Sequence, residues 1–148
     1  MIVVDTSGIL ASKDESHPNH AAVAAVITGS DEELLLSPFV LAESDYMLAN
    51  RLGQSAAREF LDEVATGAFE LVDFDYGDVR SANGIIDRYA DLHIGIADAS
   101  LVVIAARFQT LRLLTFDQRH FRTVAPLWGG PAFTLLPADT LDPSTAHG

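Results

Sequence analysis

Four carboxylates sit in apolar surroundings. Asp5 ends the short run Ile2-Val3-Val4, and Asp117 closes Leu111 to Leu114 after Thr115-Phe116. Glu43 lies within Phe39-Val40-Leu41-Ala42-Glu43, and Asp98 stands near the start of Ile96 to Val103, part of the most apolar segment. An ionised carboxylate is expensive to bury unless it is paired or bound to a cation. Each residue alone has an ordinary reading. Asp5-Thr6-Ser7 suits an Asx turn, Asp117 a turn or helix cap, Asp98 a partner for a helix dipole, and Glu43 an exposed stripe of its helix. Gathered at one edge of a sheet, the four would repel one another and persist as anions only around a hard cation. Oxygen-only ligation, in a chain with no cysteine and no clustered histidine, selects Mg2+ or Mn2+. Acidic clusters of this kind support phosphoryl chemistry, where one ion lowers the pKa of an attacking water and a second stabilises the leaving oxygen.

The elements that would position these residues follow from apolar patterning and helix stops. Ile2–Val4, Leu34–Leu36, 111–114 and 133–136 read as short buried strands, and 69–74 as an alternating one. Thr6 to Ser16 reads as turn-rich. Helices are predicted from Pro18 to Ile27 with a stop at Gly29, and from Ser37-Pro38 to Leu52 with a stop at Gly53. Three more are predicted over 54–66, 75–90 and 96–109. Strands alternating with helices indicate an α/β fold with a mostly parallel sheet of four to five strands. Ligands in such sheets bind beyond the carboxyl ends of the strands, where Asp5 and Asp117 stand. Residues 1–137 read as one domain, and 138–148 as a flexible C-terminal tail.

Composition narrows the function. The chain has 148 residues, 49% of them hydrophobic, and a net charge of -12. That is one domain with a core, not a disordered chain. The acidity argues against a general nucleic-acid coat, which carries a basic footprint. Without cysteine there are no disulfides or thiolate chemistry. The start, Met1-Ile2-Val3-Val4-Asp5, has no basic leader, and the apolar stretch around 101–108 is broken by Arg107. It is far short of the roughly 20 residues of a membrane span. The expectation is a cytoplasmic protein with no membrane partner.

The residues also carry a resemblance. Val4-Asp5-Thr6-Ser7, Ser37 to Glu43, Tyr89-Ala90-Asp91-Leu92 with Ala97-Asp98-Ala99-Ser100, and Leu114-Thr115-Phe116-Asp117 with His120-Phe121 resemble the PIN-domain ribonucleases. Among these they are most similar to the VapC toxins of bacterial VapBC toxin–antitoxin systems. The segments span residues 1 to about 121 in the family's order. The resemblance implies a three-layer α/β/α fold and a Mg2+- or Mn2+-dependent endoribonuclease. Asp5, Glu43, Asp98 and Asp117 match the acidic quartet, taken as both catalytic and metal-binding. Thr6 and Thr115 match positions whose hydroxyls support it. Asp91 is left outside the set of ligands. Implied products carry a 5′-phosphate and a 3′-hydroxyl. Implied partners are an RNA substrate, a VapB-like antitoxin that projects a basic side chain at the acidic site, and a second copy of the chain. The apolar stretches Val40 to Leu48 and Phe60 to Phe69 read either as packing surfaces or simply as core.

Arg119 and Arg122 follow Asp117 closely and are the first candidates for phosphate contacts, with Arg51, Arg88, Arg107 and Arg112 behind them. No histidine pair has the spacing of a zinc protease. His120 could reach substrate or simply pack. An aspartyl-phosphate phosphatase would want a second Asp where Ser7 stands, and a receiver domain would want a late lysine where the only one is Lys13. The remaining alternative is a catalytically silent PIN-like module that docks a protein or RNA.

Overall fold

The computed structural model describes residues 1–140. Five strands, β1 (Ile2–Val4), β2 (Leu34–Leu36), β3 (Glu70–Leu71), β4 (Arg112–Leu114) and β5 (Thr134–Leu136), form one sheet in the order β3-β2-β1-β4-β5. Every neighbouring pair is parallel. Val3 lies opposite Leu35 on one side and Leu113 on the other, and Val4 lies opposite Leu114. Helices cover both faces, giving three α/β/α layers. β1 and β2 are therefore uninterrupted apolar runs with no exposed face, and β4 is buried beyond its first residue, Arg112. The chain leaves β1 for β2 on one side and later returns to β4 on the other. That reversal opens a crevice at the carboxyl ends of β1 and β4.

Among the described residues, seven helices complete the fold: α1 (Thr6–Lys13), α2 (His20–Thr28), α3 (Pro38–Leu52), α4 (Gln54–Ala65), α5 (Tyr76–Arg88), α6 (Ile96–Arg107) and α7 (Gln118–Phe121). Ser37 caps α3 by accepting a hydrogen bond from the Phe39 amide at 3.2 Å, with Pro38 in the first turn. Gly53, at φ +102°, ends α3 and opens α4 at once. Ala99 to Ala105 of α6 are all buried, as suits a central core helix. The Ser37 hydroxyl meets that of Ser100 at 2.7 Å, a buried link that fixes the start of α3 against α6.

Three expectations change. The segment read as turn-rich is the helix α1. Its Gly8 marks close approach, because a Cβ there would lie 2.8 Å from the Leu114 Cγ and 2.9 Å from the Leu114 carbonyl oxygen. The alternation over 69–74 yields only two paired strand residues. Val72 still donates to the Leu36 carbonyl at 2.9 Å, but β2 ends there and its chain turns into α3, so nothing remains to pair with Asp73 and Phe74. The start of the expected tail is held down. Residues 138–140 form a turn in which Asp139 accepts from the Leu135 amide at 2.7 Å and pairs with Arg122 at 2.6 Å. The remainder of that tail, 141–148, lies outside the described residues. Of the two readings open for 40–48 and 60–69, Val40, Leu48, Phe60 and Phe69 take the core one, while Tyr46, Leu52 and Leu61 of α3 and α4 are exposed.

Candidate active site

The carboxylate of Asp5 is 6% exposed and fully engaged. One oxygen accepts from the Thr6 amide at 2.8 Å, capping α1. The other accepts from the Thr115 hydroxyl at 2.7 Å and the Ser7 hydroxyl at 3.1 Å. The turn-cap reading of Asp5 holds, and the capping carboxylate also accepts from two hydroxyls. Burial pushes its carboxyl above the ordinary range, the hydrogen bonds from Thr115, Thr6 and Ser7 pull it down, and the Glu43 charge adds to the rise.

Asp117 reaches the same place from β4. It caps α7, accepting from the His120 amide at 3.1 Å, while its own amide donates to the Thr115 hydroxyl at 3.0 Å. The Thr115 hydroxyl therefore ties the loop carrying Asp117 to Asp5. Asp98 comes from the first turn of α6. Its carboxyl is pushed up to about 6, first by burial and then by the Asp5 charge. His120 opposes the rise, and Asp117 and Glu43 add to it. Glu43, on the exposed side of α3, borders the same space.

All four carboxylates line one open cleft of about 270 Å³. Thr6, Ser7 and Leu10 of α1 form one wall, and Glu43, Met47 and Arg51 form a stripe along α3 at i, i+4 and i+8. A larger hollow of about 540 Å³ along α4 is lined only by side chains of that one helix, Gln54, Ser55, Arg58, Glu59 and Asp62, and gathers no convergent groups. The acidic cleft is the one where several elements meet and a carboxyl titrates far from its ordinary value.

The supporting residues divide. Thr115 bonds to Asp5, whereas the Thr6 hydroxyl is buried with no hydrogen-bond partner among the described residues. Arg122 is turned away and held by both oxygens of Asp139, at 2.6 and 2.9 Å. Arg119 is exposed. Arg107 is tied to Asp73 and Asp78, and Arg112 to Glu32. Among the described residues, Arg51 is the cation that lines the cleft. Ser7 was overlooked by sequence reasoning. Besides bonding Asp5, its hydroxyl accepts from the Phe116 amide at 3.0 Å and so braces the loop after β4. The signal available was its place in Asp5-Thr6-Ser7, in the first turn of the helix that Asp5 caps.

A divalent cation suits this donor set. Burial first, and then the charges of Asp5, Asp117 and Glu43, raise Asp98 against the pull of His120, and the Thr6 hydroxyl beside them is buried without a hydrogen-bond partner among the described residues. Asp98, Asp117 and His120 each bring a ligand atom within 4.8 Å of the others.

The chain is similar to known proteins. A family model, the PIN domain, matches residues 2–126. Ribonuclease VapC26 of Mycobacterium tuberculosis (strain ATCC 25618 / H37Rv) is 43% identical over 136 residues, covering 92% of this chain and all of the relative. The crystal structure of Mycobacterium tuberculosis VapC20, described as a Sarcin-Ricin loop cleaving toxin, superposes with a TM-score of 0.74 at 19% identity, over 79% of this chain and 90% of that one. VapBC2 from Rickettsia felis, bound to a DNA fragment from its promoter, gives 0.63 at 18% identity, over 87% of this chain and 100% of that one. The chain belongs to the PIN-domain family, among its VapC ribonucleases.

Proposed function

We propose that the protein is a Mg2+- or Mn2+-dependent endoribonuclease, the toxin of a type II toxin–antitoxin pair, cutting RNA at the cleft between β1 and β4. The observation that carries this is the convergence of Asp5, Glu43, Asp98 and Asp117 from four separate elements on that one cleft. Asp5, Asp98 and Asp117 would hold the ion, with Glu43 closing the open side. When bound, it supplies the positive charge that lets these carboxylates stay ionised, and it activates water for attack on a phosphodiester.

The remaining work falls to the chain's own groups. Ser7 and Thr115 fix the Asp5 carboxylate so that its orientation does not depend on substrate. Thr115 also holds the Asp117 backbone in register with Asp5. Arg51, on the rim of the cleft, binds an RNA phosphate, with Arg119 as a second, outer contact. Arg122 keeps the loop after β4 folded through Asp139, a positioning role rather than the substrate contact expected from its place in sequence.

An acidic cleft with one arginine on its rim is also complementary to a basic peptide. A VapB-like antitoxin would block the enzyme by placing a cationic side chain there, in the cytoplasm where both are made. The exposed Tyr46 and Leu52 of α3 and Leu61 of α4 offer surface for a homodimer.

The test is cleavage of a panel of structured RNAs by purified protein with Mg2+ or Mn2+. Cuts leaving 5′-phosphate and 3′-hydroxyl ends are expected, and Asp98→Asn should lose them. Equal cutting by the substituted protein would assign the activity to a contaminant. Metal binding without any cutting would favour the silent docking module.

A further inference from the structure

We propose that His120 supplies its Nδ1 as a nitrogen ligand to the divalent ion held by Asp98 and Asp117, making the site a mixed nitrogen–oxygen one that favours Mn2+ over Mg2+. This rests on the metal-dependent reading above and makes it more specific. Oxygen-only ligation, the expectation from sequence, treats the two ions nearly alike. An imidazole does not, because it suits transition metals better than Mg2+.

Nδ1 of His120 lies 2.7 Å from the Asp117 Oδ2 and 3.6 Å from the Asp98 Oδ2. Adjacent ligand atoms of an octahedral ion about 2.1 Å from each donor are separated by roughly 3 Å, between those two values. The same nitrogen is shielded from solvent and makes no aligned hydrogen bond, to Asp117 or to any other described residue. A shielded ring nitrogen close to two carboxylates without an aligned bond to either needs an explanation. A shared cation provides one.

The ring's position is built in. Asp117 Oδ1 accepts from the His120 amide, so the single turn of α7 sets the imidazole three residues on beside the carboxylate that caps it. The neighbouring Phe121 is buried against Phe133, which anchors that turn to the core.

Affinity alone would not decide the matter. A residue that merely orients a ligand already changes metal affinity by roughly 10–100-fold when replaced. The deciding experiment is pulsed EPR on the Mn2+ complex, prepared with ordinary and with isotope-labelled histidine. Calorimetric titrations of Mn2+ and Mg2+ accompany it. Wild type should show a nitrogen coupling to Mn2+ that changes with the label. His120→Gln, and His120→Asn as a second variant, should lose the coupling while still binding ion, and should lose more Mn2+ affinity than Mg2+ affinity. Melting by circular dichroism verifies that the variants fold. The wild-type label comparison stands even if they do not. Bound Mn2+ with no histidine coupling, or a coupling that survives both substitutions, would overturn the role of His120 alone. Failure of the wild type to bind Mn2+ at all would overturn the metal reading beneath it.

Discussion

Asp98 is held in a conflict at neutral pH. Its carboxyl is pushed up to about 6 by burial and by Asp5, so without a cation its ionised form opposes folding. The sign follows from proton binding. Between the ordinary carboxylate range and pH 6 the folded protein holds this proton more tightly than the unfolded chain, so stability falls as pH rises through that window. Above it the penalty is complete, up to about 3 kcal/mol for a shift of this size. In EDTA at pH 7.5, Asp98→Asn is therefore expected to melt higher than wild type, with the gap closing as pH falls to about 4. Added Mn2+ should reverse the order by stabilising wild type alone. Urea melts across pH, with and without ion, measure both. Wild type melting above the variant in EDTA at pH 7.5 would contradict the conflict. Thr115 tests the other side of the design. Thr115→Val keeps the shape but strips a donor from Asp5 and an acceptor from the Asp117 amide. The expected loss is about 1–3 kcal/mol of stability and a larger fall in turnover than in RNA affinity. Unchanged turnover would mean that Asp5 is placed by its backbone and Ser7 without help from this hydroxyl.

The helix α1 shows what sequence patterning reveals and what it hides. The strands β1, β2, β4 and β5, the cap at Ser37 and the stop at Gly53 were all legible, because apolar runs and caps are local signals. So were the four carboxylates, since acids in apolar company advertise themselves. Gly8 was not, because its reason is non-local. It lets α1 lie against Leu114, over a hundred residues away in sequence, and so brings Ser7 to the Phe116 amide. The same holds for Arg122 and Asp139, whose pairing no spacing rule foretells. The alternation at 69–74 misled for the opposite reason. It was a true local pattern, but β2 was too short to use it. Gly8→Ala separates local from tertiary effects. Alanine is the better helix former by about 1 kcal/mol, yet a Cβ at 2.8–2.9 Å from Leu114 must force α1 and β4 apart. A net loss of about 1–3 kcal/mol is expected, with reduced cleavage as Asp5 and Ser7 shift. A raised melting temperature would show that the contact yields freely.

At the scale of the whole molecule, the net charge of -12 constrains how RNA can bind. A protein that held RNA by a basic surface would lose affinity steeply with salt, since each neutralised phosphate adds about -0.7 to the logarithmic slope on single strands. Here the cations near the cleft are few. Arg51 lines it, Arg119 lies beyond Asp117, and Arg107, Arg112 and Arg122 are paired with carboxylates elsewhere. Two divalent ions would offset about a third of the acidic excess, and they would do so at the cleft. Recognition then depends on the ion-loaded cleft, and the rest of the surface repels RNA at a distance that salt shortens. Titrating a short labelled single-stranded RNA into Asp98→Asn, which should not cut, gives the slope directly by anisotropy. Two arginine contacts predict a slope of about -1.4, and Arg51→Ala should flatten it by about 0.7 while weakening binding at every salt concentration. A slope several times steeper would reveal a basic RNA path beyond these two arginines. A slope unchanged by Arg51→Ala would move the phosphate contact off α3.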